Sequence, residues 1–180
     1  MALIQQDLVP GSGDQLLTLD TDTHLQWLNL TATANRSYLE VMGGFGNFIG
    51  TYGFQYGDVA QVGTLFVHAG ITKETQEPRF ISSPNDLVNH YGVQTLQELM
   101  NGRTLLPSIV SGTTPASFII QTQGMFKPPV PFPSPDVVLD GFTTSLSILT
   151  PVNSYATTSP MRKPGVADPR VASYLVRAAP

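Results

Sequence analysis

At 180 residues and 19.4 kDa, with 41% hydrophobic content, the chain can bury a real core, and one domain over 1–180 is the default. Charged residues are only 12%, against a usual share of about 25%, and the net charge of −4 with no run of Lys or Arg excludes a surface that tracks nucleic-acid phosphates. The absence of cysteine removes disulfides, thiolate nucleophiles and Cys-ligated zinc, and no stretch of about 18 apolar residues is present to insert into a membrane.

Residues 1–13 carry neither a basic nor an apolar signal region, and Gly11-Ser-Gly13 reads as a flexible lead-in. Leu16–Asp20 and His24–Leu30 alternate apolar with polar residues, the period of a half-buried strand pair, with Asp20–Thr23 as the turn. Ser37 and Glu40 have the spacing of a capping box, which opens a short helix over Leu39, Val41 and Met42 that stops at Gly43-Gly44. Gly43-Gly-Phe-Gly46 precedes no Lys-Ser/Thr pair, so it is a turn and not a phosphate loop.

Asp58 and Gln61 repeat the capping spacing, and Val59, Val62, Leu65, Phe66 and Ala69 recur at helical intervals until Gly70. Ser83-Pro84 opens a third helix, with Leu87, Val88 and Tyr91 before Gly92 and a further turn or two from Val93 to Met100. Beyond residue 103 the chain reads as strands and loops, with strands over Ala116–Thr122, Ser145–Thr150 and Val171–Val176. Between them, Lys127-Pro-Pro-Val-Pro-Phe-Pro-Ser-Pro135 lacks the N–H groups that a helix or a central strand needs. It is an extended polyproline-like segment, read first as a stiff surface loop and second as a docking arm laid on a neighbouring subunit, with Pro128, Pro129, Pro131, Phe132, Pro133 and Pro135 as the candidate contact residues.

The order of these features carries a resemblance. An apolar strand around Trp27, a helix opened by Ser37-Tyr38, a Gly-rich turn and the segment Gly53–Val62 leading into a second helix resemble the exported bacterial modules that bear a PEP-CTERM sorting tail. More distantly they resemble Lcl-type relatives of the C-type lectin fold, and Ala172–Ala178 is similar to the closing strand of such modules. The resemblance implies an α+β fold of C-type-lectin-like kind: an antiparallel sheet, two or three short helices and long Pro/Gly-rich loops. It also implies that the Trp27 strand pairs with Ser173–Arg177, and Trp27, Phe54, Tyr56 and Leu175 are the expected structural core.

Candidate chemistry is sparse. Asp20 and Asp22, with Asp14 nearby, lack the ligand ladder of a calcium loop and are read as turn formers. Glu77-Pro78-Arg79 begins like a lectin sugar-binding tripeptide but ends in Arg, so calcium-dependent sugar binding does not transfer. His24, His68 and His90 have no short metal-ligand spacing, and no Gly-x-Ser-x-Gly elbow anchors a nucleophile. No enzyme, metal or cofactor is therefore expected. Trp27, Phe45, Phe48, Tyr52, Phe54 and Tyr56 are read first as core and second as a stacking face for polysaccharide. The resulting expectation is a non-catalytic structural or interaction protein. A bacteriophage virion component, either capsid decoration or tail protein, comes first; it starts at Met1, ends just past the closing strand, and forms a homo-oligomer or lattice. A secreted matrix protein of the PEP-CTERM type is the alternative.

Overall fold

The computed structural model describes residues 2–72, 74–76, 79–81, 87–100, 104–108, 117–121, 123–127, 165–169 and 171–180. The fold is α+β. Its centre is an antiparallel sheet of five strands: β1 (Leu3–Gln6), β2 (Leu17–Asp20), β3 (Leu25–Leu28), β4 (Gln55–Tyr56) and, last in the chain, a strand over Leu175–Ala178. Among the described residues the α-helices α1 (Tyr38–Met42), α2 (Val59–His68) and α3 (Leu87–Leu99) accompany it. The remaining strands form two-stranded ladders. β5 (Glu74–Gln76) pairs antiparallel with β6 (Arg79–Ile81), and β7 (Thr104–Ser108) likewise with β8 (Ser117–Gln121). β9 (Gln123–Met125) runs parallel to β10 (Val171–Ser173), and the closing strand Leu175–Ala178 is β11.

The central order is β1-β2-β3-β11-β4, so the last strand enters the middle of the sheet. The Trp27 strand does pair with it, in the register Val176↔Trp27, Arg177↔Gln26 and Ala178↔Leu25. Ser173 belongs instead to β10, because the backbone of Tyr174 turns to bond Met125 and Gly57 on either side.

Alternation along these strands gives each sheet face its own core. On one face, Trp27 and Val176 pack under α2 and α3 with Val62, Leu65, Phe66, Val93, Leu96 and Met100. On the other, Leu17, Leu28, Leu175 and Tyr56 pack against Val41 of α1, Phe48 and Phe54.

Both capping boxes form. Ser37 Oγ accepts from the Glu40 N–H at 3.2 Å while the Ser37 N–H donates to Glu40 at 2.7 Å. Asp58 and Gln61 make the same exchange at 2.8 and 3.0 Å. Two local expectations are corrected. The lead-in is a bonded turn: Asp7 accepts from the Gly13 and Gln15 amides, Asp14 accepts from the Leu8, Val9 and Leu16 amides and the Ser12 hydroxyl, and the residues before it form β1. His24 lies in the turn, with φ +54°, and β3 begins at Leu25. The extension of α3 past Gly92 is present, as far as Leu99; a Cβ at Gly92 would come 2.8 Å from Ala69 O and Ile71 Cγ1, so the glycine lets α3 cross the end of α2 closely.

Candidate functional site

Pro128, Pro129, Pro131, Phe132, Pro133 and Pro135 lie outside the described residues, as do Ser83-Pro84, Glu77-Pro78 and the strand expected at Ser145–Thr150. What the structure does place is the root of the proline-rich segment. Gly124 passes against the Tyr174 ring, where a Cβ would sit 2.5 Å from Tyr174 Cε2 and 3.2 Å from Leu30 Cδ2, so no other residue allows this approach. Met125 and Phe126 then enter the two cores. The Tyr174 N–H donates to Met125 O at 2.7 Å, the Gly57 N–H to Tyr174 O at 2.9 Å, and the Lys127 N–H to Gly57 O at 2.7 Å. Lys127, the last residue before the prolines, is thereby pinned to the link between β4 and α2.

The return strand is held as firmly. The Ser173 N–H donates to Thr33 Oγ1 at 2.8 Å, and Tyr56 Oη shares a 2.8 Å hydrogen bond with Ser173 Oγ. Burial pushes the Tyr56 hydroxyl well above the usual phenol range, with the Ser173 bond acting weakly against it and nearby Tyr38 adding to it. Tyr174, fully buried, is raised by desolvation alone. Both phenols stay protonated and pack in the core, and Tyr56 also bonds Ser173.

Trp27, Phe54, Tyr56 and Leu175 are all buried, Trp27 completely at 0% exposure. The Trp27 ring meets Tyr174 edge-on at 6.3 Å, and Gly57 lies so close that a Cβ would fall 2.8 Å from Trp27 Cζ3. Phe48 is buried as well, while Phe45 and Tyr52 are half-buried beside it at 6.5 and 6.3 Å. Their ring faces are partly taken: the Arg36 guanidinium lies 4.3 Å over Phe45. Arg177 stacks 4.8 Å over Phe54 while donating to Gln26 Oε1 at 2.9 Å and to Tyr52 O at 3.0 Å. Most of the aromatic surface is thus committed to packing.

One pair escaped the sequence reading. Asp20, at 1% exposure, bonds His68 Nδ1 at 2.7 Å and accepts the Asp22 N–H at 3.1 Å. Burial opposes its ionisation, but the bonds from His68 and the Asp22 amide outweigh it and hold the carboxyl below its usual range. A carboxylate on Nδ1 is the orienting half of a catalytic triad. Here no hydrogen bond links the other ring nitrogen to a nucleophile among the described residues, so the pair ties the end of α2 to the β2–β3 turn. Forty-eight residues separate the partners, and nothing local marks the contact. Among the described residues no group of three His, Cys, Asp or Glu is placed to hold a metal, and no helix is long and apolar enough to cross a membrane.

Comparison with protein-family models, with curated proteins and with solved structures finds no match to this chain.

Proposed function

We propose that the chain is a non-catalytic structural and interaction protein, a bacteriophage virion component of the capsid-decoration or tail kind. In this reading a C-type-lectin-like module is joined to neighbouring subunits by the segment 127–135. The observation that carries it is the anchoring of Lys127 to Gly57, which gives a proline-rich segment a fixed point of departure from a buried core. Prolines restrict the free chain, so docking such a segment orders little that was not already restricted. The low charge of the chain favours packing against protein over attraction to a polyanion. Deleting 128–135 should leave a folded monomer and abolish incorporation into particles or oligomers. Unchanged assembly at the same concentration would overturn the arm.

A second reading, a secreted matrix protein of the PEP-CTERM type that binds polysaccharide, is favoured by the pairing of β11 with the Trp27 strand. That pairing is what the resemblance to exported modules implies. Affinity electrophoresis through polysaccharide gels tests it: retardation that disappears in Tyr52→Ala supports this reading, and free migration in neutral and acidic polysaccharides alike overturns it.

A further inference from the structure

The two edges of the central sheet are treated differently. At the β4 edge the Phe54 N–H donates to Phe48 O at 3.0 Å and Lys127 bonds Gly57, so the molecule's own loops close it. At the β1 edge the parity of the ladder leaves groups pointing out. The Thr21 N–H donates to Ala2 O at 3.1 Å, which makes Ala2↔Thr21 a bonded pair. With the register Leu3↔Asp20, Ile4↔Leu19, Gln5↔Thr18 and Gln6↔Leu17, bonded pairs alternate, so Ile4 and Gln6 face β2. The N–H and C=O groups of Leu3 and Gln5 therefore face away from the sheet, and no backbone hydrogen bond reaches them among the described residues.

Proteins usually blunt such an edge with Lys, Pro, a bulge or a covering segment. β1 reads Leu-Ile-Gln-Gln, with no Lys or Pro and, among the described residues, no bulge or covering segment, and its Ile4 side chain is 46% exposed. We infer that β1 is an interaction edge that pairs antiparallel with β1 of a second copy, Leu3 opposite Gln5 in both directions, about a two-fold axis at Ile4. The outward groups suit this register because they lie on residues two apart, the spacing that antiparallel bonded pairs require. The axis brings together two Ile4 side chains and no like charges, since Ala2–Gln6 carries none. Isologous pairing of this kind closes on itself.

A four-residue strand buries far less than the roughly 1,200 Å² of a standard stable interface. The dimer is accordingly weak and concentration-dependent. It does not involve the proline-rich segment, so it stands or falls apart from the arm.

Sedimentation of the full chain from micromolar to millimolar concentration tests it. A monomer–dimer equilibrium is expected, retained when 128–135 are deleted. Gln5→Pro removes an outward N–H but no bond to β2, and should raise the dimer dissociation constant about tenfold or more while leaving the circular dichroism and melting point near wild type. If that variant is unfolded, Ile4→Lys decides, because it sets two like charges at the axis while Ile4→Val keeps the contact. A chain that is monomeric throughout overturns the inference, as does a dimer that both folded variants leave unchanged. A β1-derived peptide that binds only a monomeric chain would reassign the edge to strand addition by a different partner and overturn the second-copy pairing.

Discussion

Trp27 concentrates the packing of the α2/α3 face, and its indole N–H is buried without a partner among the described residues. Trp27→Ala should cost about 3–5 kcal/mol, the range for emptying a large aromatic site, read by urea unfolding. Trp27→Phe should cost clearly less, because it also removes a donor whose burial is unfavourable. A Phe variant as unstable as the Ala variant would show that the indole edge is the essential contact. Gly57→Ala should destabilise by about 1–3 kcal/mol, the usual effect of overpacking, since its Cβ would fall 2.8 Å from the Trp27 ring with Val176 also alongside at 3.6 Å. The acidic residues set the pH response. Desolvation raises the Asp14 carboxyl, but the Ser12 hydroxyl and the Leu16, Leu8 and Val9 amides outweigh it and hold it at about 2. Asp20 is lowered for the like reason, with burial opposing and the His68 and Asp22 bonds prevailing. Folded values below the unfolded value of about 3.9 mean stabilisation present above pH 4 or so and lost as pH falls through the folded values. Melting temperatures should therefore drop between about pH 4 and 2, and Asp14→Asn should flatten that drop while lowering the melting point at neutral pH. An unchanged slope would remove Asp14 from the account.

The elements differ in how far they can be read locally. Ser37/Glu40 and Asp58/Gln61 are legible because the capping exchange is completed within four residues, and the structure forms both boxes where the spacing puts them. The β2–β3 pair is legible because its alternation separates the two cores. β1 is not, since Leu-Ile-Gln-Gln has no alternation and its assignment rests on partners seventeen residues or fewer along the chain, Leu3 with Asp20 and Gln6 with Leu17. Gly92 and Gly124 act as points of close approach, a role set by Ile71 and Tyr174 and invisible before these neighbours are known. The Asp20–His68 contact is of the same kind. At this scale the caps make the quantitative prediction: Asp58→Ala should cost about 1 kcal/mol, because α2 carries four of its residues into the sheet-facing core. Ser37→Ala should cost less than Asp58→Ala, since α1 is a five-residue helix that buries only Val41. Equal losses would mean that the two helices contribute to stability through something other than their caps.

For the molecule as a whole, the position of β11 matters more than its length. It lies between β3 and β4, bonds both, and contributes Leu175 and Val176 at 0% exposure, one to each core. Arg177 adds the contacts to Gln26, Tyr52 and Phe54 that close the α1-side face. Ending the chain at Tyr174 would therefore open a gap in mid-sheet, strip backbone partners from two strands and leave a cavity on either face. Losing two buried aliphatic side chains alone costs about 2–5 kcal/mol each, against a total stability of about 5–15 kcal/mol for a domain. The truncated chain should lack near-ultraviolet circular dichroism and dispersed amide resonances at 25 °C. Ending it instead at Ala178, which keeps every β11 pairing but loses the single Ala179 N–H to His24 O bond, should leave the fold intact. A chain that remains folded when cut at Tyr174 would show that β4 can close directly onto β3, and that the closing strand is an addition to the sheet rather than its keystone.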